Sequence, residues 1–246
     1  MDTQSYTLIR KGEFHPVFCE DFLISENLGN QYKIGAVMDG CSSGKESHFA
    51  SALLGKILRK VLKELEFDKK SIFTQSPQAK ELSKSIFEKV FKELKQTRQQ
   101  LYLSLEETLS TLNLMVYDQK RNIAFIHLTG DGFVAIDGKI REIDQDNKPD
   151  YLGYHIEQDF EEWYLGQENF FEVEKPKDIA IASDGLDTFR SNQVASEEEL
   201  DIASFLLIDN SFAKMENMLT RKFNILHKKH GFLPGDDLSI VRWRFV

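Results

Sequence analysis

The residues of this chain best suited to chemistry are acids placed where apolar runs stop. Asp39 and Asp184 each close such a run and are each followed by glycine. Asp236-Asp237 comes directly after Gly235 at the entry to the last apolar segment. Asp131 is flanked by glycines, and Glu20-Asp21 precedes Phe22-Leu23-Ile24. A carboxylate at a strand end is held by rigid backbone, and a neighbouring glycine lets a carbonyl or a ligand come close. Carboxylates gathered at one sheet edge repel one another unless a cation neutralises them. Donors that are all oxygen select Mg²⁺ or Mn²⁺ over zinc. A single Asp-Gly is a common turn dipeptide, and Asp137-Gly138 is read as a hairpin turn alone. The ordered set carries the argument.

Other chemistries fail on spacing. Gly40-Cys41-Ser42-Ser43-Gly44-Lys45-Glu46 looks like a phosphate-cradling loop, but too few residues separate its glycines, and glutamate stands where Ser or Thr must reach Mg²⁺. A cysteine phosphatase needs an arginine at the position of Ser47. The histidines (His15, His48, His127, His155, His227, His230) show no metal-ligand spacing.

The elements that must position the acids are legible from periodicity. Glu46–Leu65 and Gln78–Lys95 carry one-sided apolar stripes and predict helices, the second capped by Ser76-Pro77. Shorter helices are expected after Ser196, with Glu199 in a capping box, and over Ser211–Leu226. Strands are expected over Tyr32–Met38, Thr108–Tyr117, Asn122–Leu128, Gly132–Ile136, Lys139–Ile143, Asp178–Ser183 and Leu238–Val246. Successive hairpins and helices grouped in two blocks predict an α+β fold with antiparallel sheets covered by helices. No linker or repeat divides the chain, so one domain over 1–246 is expected, with the aromatic-rich stretch 144–177 a folded, flap-like excursion over the sheet.

The chain has 246 residues, with 31 Lys and Arg against 40 Asp and Glu, a net charge of −9. That balance argues against a nucleic-acid partner, which requires a basic footprint. Cys19 and Cys41 are too few for a disulfide scaffold and fit a reducing compartment. The N-terminus has neither a basic nor an apolar targeting region, and no apolar run reaches membrane length. A cytoplasmic protein without a membrane partner is the expectation.

In its ordered motifs the sequence resembles the PP2C-type (PPM) metal-dependent serine/threonine phosphatases. The matching stretches are Cys19-Glu20-Asp21, Gly35-Ala36-Val37-Met38-Asp39-Gly40, Leu128-Thr129-Gly130-Asp131, Ile181-Ala182-Ser183-Asp184-Gly185-Leu186 and Gly235-Asp236-Asp237-Leu238-Ser239-Ile240-Val241. The resemblance implies a four-layer α-β-β-α sandwich of two antiparallel sheets flanked by helices, with a binuclear metal centre at one sheet edge. It implies two or three Mn²⁺ or Mg²⁺ ions. Asp39 would bridge two of them and the Gly40 carbonyl would bind one. Asp184 and the first acid of the Asp236-Asp237 pair would complete the shell of the second metal, with Asp237 counted among the metal-site acids, and Asp131 would help to hold a looser third ion. Glu20 would hold metal-bound water, with Asp21 beside it. The implied reaction is in-line attack of an activated water on phosphoserine or phosphothreonine in a protein, reversing a cognate Ser/Thr kinase.

The sequence departs from the family's pattern in three places, one of them Asp187, which comes one position early after Ser183-Asp184-Gly185-Leu186. Pro16 stands where the family has its phosphate-binding arginine, which leaves Lys11, Arg10 or His15 to reach the phosphate without arginine's bidentate fork. Cys41 stands where a histidine, proposed as general acid, often follows the Asp-Gly pair. These departures keep a second reading open: a pseudophosphatase that binds a phosphoprotein without turnover.

Overall fold

The computed structural model describes residues 3–42, 47–67, 76–145, 148–191 and 200–246. Strands β1 (Thr3–Arg10), β12 (Leu238–Phe245), β9 (Asp178–Ala182), β6 (Gly132–Ile136) and β7 (Lys139–Ile143) form one sheet in that order. Strands β2 (Asp21–Leu28), β3 (Tyr32–Asp39), β4 (Leu112–Asp118), β5 (Ile123–Thr129) and β8 (Phe170–Glu174) form the other. Every pairing is antiparallel. A small hairpin joins β10 (Phe189–Ser191) and β11 (Phe232–Pro234).

The side-chain period of two explains the layering. Along β3 and β4, Ile34, Ala36, Met38, Leu112, Leu114 and Val116 face helices α1 (Ser47–Phe67) and α2 (Ala79–Leu101), where they meet Leu54, Leu58, Val61, Ile86, Phe87 and Val90. The alternate residues Val37, Met115 and Tyr117 face the other sheet and pack with Ile181, Val241 and Trp243. On the far side Leu8, Ala180, Leu238 and Ile240 meet α4 (Ile202–Leu207) and α5 (Met218–His230) through Leu206, Leu219 and Phe223. Three apolar seams between four layers follow, so the central strands read as continuous apolar runs. This is the α-β-β-α sandwich.

Some boundaries differ from the expectations, each for a local reason. Helix α2 starts later than Ser76-Pro77: Gln78 is its N-cap, and its amide donates to the Glu81 carboxylate at 2.8 Å. Ser76 instead has φ of 46° and accepts from Gln31 at 2.7 Å. The strand expected from Thr108 starts at Leu112, because 106–108 form a 3₁₀ turn. Helix α5 begins at Met218 and not near Ser211. The turn before it is tied down instead, with Ser211 donating to Asp209 and the buried ammonium of Lys222 bound to the carbonyls of Phe205 and Asp209. The helix start expected after Ser196, with Glu199, lies outside the described residues. Strands β1, β2, β8, β10 and β11 lie outside the expected set. The 144–177 stretch packs α3 (Phe160–Leu165) and the buried Leu152 and Ile156 on the α1–α2 seam, then contributes β8 as an edge strand. Among the described residues no helix is long and apolar enough to cross a membrane.

Candidate metal centre

Strand pairing brings the first acids together. In the β2–β3 register Asp21 lies opposite Asp39, so two carboxyls share one end of one sheet. Beyond it, the Asp39 backbone is clamped to Thr111, whose hydroxyl accepts from the Asp39 amide at 2.9 Å and whose amide donates to the Asp39 carbonyl at 2.8 Å. Gly40 is buried and donates its amide to the Glu20 carbonyl at 3.1 Å.

The other sheet supplies the facing acids. Ser183 ends β9, and its hydroxyl donates to Asp21 Oδ2 at 2.7 Å, stitching the two sheets together at the site. Asp184 opens the next turn. Its neighbour Gly185 has no room for a side chain, because a Cβ there would overlap the Asp237 carbonyl oxygen. This close approach keeps the Asp184 turn against the entry to β12, where Asp236 stands, its amide donating to the Thr188 hydroxyl at 2.9 Å. Asp131 sits in the β5–β6 turn, 8% exposed, with its carbonyl held by the Asn113 amide at 3.1 Å. Gly130 at φ of 86° takes the left-handed conformation this turn requires.

Asp39, Asp184, Asp236, Asp131 and Asp21 therefore converge, and their protonation records it. Burial first, then the charges of Asp21, Asp184 and Asp236, push the Asp39 carboxyl well above the usual range. Burial also pushes Asp21 up strongly. Burial, then Asp236 and Asp131, raise Asp184 to about 6. Burial raises Asp236 as well. Such shifts measure the cost of keeping like charges in a dry site.

Asp237 and the 11–20 loop form the flank. The Asp237 carboxylate accepts from the Gly12 amide at 2.5 Å, from the Glu20 amide, and from His15 Nδ1 at 2.9 Å. It is thus occupied by the loop, while Asp236 is the member of the pair that faces the other acids. His15 Nδ1 also lies 3.5 Å from Asp236, and its Nε2 lies 3.6 Å from Glu20. Burial lowers the imidazole's pKa, but the hydrogen bond and charge of Asp237, with Glu20 and Asp236, outweigh it and leave it raised. Lys11 donates to the carbonyls of His15 at 2.6 Å and Pro16 at 3.2 Å. Of the residues expected at the phosphate, Lys11 is engaged by the loop's own carbonyls, His15 by the Asp236-Asp237 pair, and Arg10 stacks over the Phe223 ring at 5.0 Å.

The donor set can be tested for a cation from its own chemistry. It is all oxygen, and both Asp21 Oδ1 and Glu20 Oε2 are buried without a hydrogen-bond donor. Buried acceptors left unmade are costly, and adjacent carboxylates compound the cost. Hard divalent cations at the rim are the group these residues fit. The sequence motifs mark these acids but not Thr111 and Asn113, whose hydrogen bonds hold the backbone of Asp39 and Asp131.

Fold and site together define a four-layer sandwich with an acidic, cation-fitting rim. The family model described as protein phosphatase 2C matches residues 13–230. Among solved structures, the S. agalactiae serine/threonine phosphatase superposes with a TM-score of 0.65 at 13% identity, over 100% of each chain. The SiaA-PP2C domain of Pseudomonas aeruginosa gives 0.62 at 14%, covering 98% of this chain and 86% of that one. RsbX in complex with magnesium gives 0.57 at 15%, covering 99% and 96%. At such identities these likenesses establish the fold. A comparison with curated protein sequences finds no match. The chain belongs to the protein phosphatase 2C family, a membership that supports protein phosphatase activity.

Proposed function

We propose that the protein hydrolyses phosphoserine and phosphothreonine in protein substrates, with two or three Mn²⁺ or Mg²⁺ ions held by Asp39, the Gly40 carbonyl, Asp184, Asp236 and Asp131. The observation that supports this reading is the convergence of these acids from both sheets, where burial first and then the charges of neighbouring acids raise the carboxyls of Asp39, Asp184 and Asp236. When bound, such cations neutralise the site, acidify water and shield a phosphoryl group. The chain's own residues supply the rest. Asp39 and Asp21 present opposed carboxyls from paired strands, and Ser183 fixes the orientation of Asp21. Asp237 serves as an anchor, holding the 11–20 loop so that Glu20 and His15 stay at the rim. Phosphoryl transfer asks mainly for positioning and charge stabilisation, and needs no phosphoenzyme here. The reading extends to a single domain acting in the cytoplasm opposite a Ser/Thr kinase, and two cysteines, neither in a disulfide, fit a reducing compartment.

A second reading, a pseudophosphatase that binds phosphoproteins, draws on one observation: Lys11 and His15 are tied to the loop, and Pro16 offers no cation. Hydrolysis of an aryl phosphate with and without Mn²⁺ separates the two. The catalytic reading expects Mn²⁺-dependent turnover that Asp39→Asn abolishes. Equal rates in wild type and variant would defeat it.

A further inference from the structure

Spacing along the chain gives His15 no metal-ligand pattern, yet the fold sets it among acids from the far end of the sequence. The 11–20 loop runs along the entry to β12, with the Glu13 and Phe14 amides donating to the carbonyls of Pro234 and Gly235 at 3.1 and 2.8 Å. This places His15 Nδ1 2.9 Å from Asp237 Oδ2 and 3.5 Å from Asp236 Oδ1. One ligand atom from each of His15, Asp236 and Asp237 lies within 4.8 Å of the other two. Ligands about 2.0–2.2 Å from a shared ion stand roughly 2.9–3.5 Å apart at octahedral to tetrahedral angles, and the two His15 separations match. Backbone amides hold both carboxylates in place. Gly12 donates to Asp237 Oδ1 at 2.5 Å, Glu20 to Asp237 Oδ2, and Asp237 to Asp236 Oδ1 at 2.7 Å. A carboxylate oxygen accepts two partners, so Asp237 Oδ2 keeps a second position on the side of His15. The Asp237 side chain is fully buried, but those of His15 and Asp236 are 15% and 32% exposed, which gives an ion a way in.

The other ring nitrogen carries a second, independent observation. His15 Nε2 lies 3.6 Å from Glu20 Oε2, an oxygen sealed from solvent and without a hydrogen-bond donor. Both imidazole nitrogens therefore face carboxylates, but a neutral imidazole has only one proton to give. A cation on Nδ1 leaves that proton on Nε2, directed at the oxygen that lacks a donor. A ligating histidine backed by a carboxylate is the usual way a protein fixes the ring of a metal ligand. We propose that His15 Nδ1, Asp236 Oδ1 and Asp237 Oδ2 form a further cation site, adjoining the carboxylate centre and sharing Asp236 with it, which takes Zn²⁺ in preference to Mg²⁺. A nitrogen donor suits borderline transition metals, whereas Mg²⁺ demands a nearly octahedral shell of oxygens. Asp39, Asp131 and Asp184 offer oxygen alone, so the two places sort ions by donor type. The site stands on these distances and does not depend on the hydrolytic reading.

The test loads the carboxylate centre first and then asks where zinc goes. Protein saturated with Mg²⁺ is titrated with Zn²⁺ by calorimetry, for wild type, His15→Gln and Asp184→Asn. The wild type is expected to take up a single Zn²⁺ per chain. Loss of a partner behind a ligand already costs about 10–100-fold in metal affinity, so losing the nitrogen itself in His15→Gln should weaken uptake at least about tenfold, and Asp184→Asn should weaken it far less. A wild-type crystal grown with Mg²⁺ and stoichiometric Zn²⁺ gives a reading that needs no variant. Anomalous scattering at the zinc edge should peak between His15 and the Asp236-Asp237 pair. The same affinity in His15→Gln as in wild type, an equal loss in both variants, no Zn²⁺ uptake over Mg²⁺, or a peak only among Asp39, Asp131 and Asp184 would each overturn the inference. A second proton on the imidazole would then be what serves Glu20. Those results leave Mn²⁺-dependent hydrolysis untouched, and an absence of turnover leaves the zinc site standing.

Discussion

His127 sets a stability cost that acid should expose. It lies on β5, fully buried against Phe87, Tyr164, Trp163 and Phe170, and neither ring nitrogen makes a hydrogen bond of normal geometry. Burial drives its pKa down from 6.5 to about 3, and the Gln167 side chain offsets this only in part. The unfolded chain therefore binds a proton below about pH 6.5 that the folded chain refuses, and stability falls as pH falls. Between pH 7 and pH 5 the cost from this one site is about 2 kcal/mol, rising to about 4 kcal/mol at pH 3. The acids of the metal centre work in the opposite sense, since their raised values favour the folded state as pH drops. A difference between two proteins in the same buffers cancels them. His127→Leu keeps a buried apolar side chain of similar size without a titrating group. Urea unfolding at pH 7 and pH 5 should show the wild type losing about 2 kcal/mol more than the variant. Parallel losses would refute the claim that this imidazole stays neutral in the fold.

Two further outcomes follow from buried charge. Asp184, raised to about 6 by burial and then by the charges of Asp236 and Asp131, contributes stability that is present below its unfolded value and lost as pH climbs through 6, a penalty of roughly 3 kcal/mol at pH 7.5 without metal. Asp184→Asn should accordingly raise the melting temperature of the metal-free protein while abolishing both the added stability from Mn²⁺ and turnover; a lower melting temperature would contradict it. Arg242 is fully buried, forked onto Asp178 at 2.9 and 2.6 Å and donating to the carbonyls of Leu206, Ile208 and Asp209. Arg242→Met takes the donor from the Leu206 and Ile208 carbonyls, while Asp209 keeps Lys222 and Asp178 keeps Arg244, and should cost about 3–5 kcal/mol in denaturant unfolding, against a negligible change if the network is dispensable.

Much of this architecture was legible because buried elements repeat themselves. The stripes of α1 and α2 and the apolar runs of β3, β9 and β12 report faces that must be dry, and dryness is a property of residue type and period. The acids were legible for a related reason: a charged residue ending an apolar run is costly unless something binds it. What failed were signals with no period. Helix α2 runs past Lys95 to Leu101 through polar residues that show no stripe. Strand β1 hides because only Tyr6 and Leu8 are deeply buried along it.

The sequence by itself determined which side chains could hold cations and which faces would be dry, since both follow from local chemistry and spacing. Tertiary structure alone decided which of the neighbouring acids does what. Asp236 and Asp237 are adjacent and chemically identical, yet one faces the acidic rim and the other is consumed by the amides of Gly12 and Glu20. It also decided that Tyr151, remote in the chain, packs beside Cys41 and Leu109. Such choices depend on which backbone groups a fold leaves unpaired and brings within reach, a property of the assembled layers that no single segment contains.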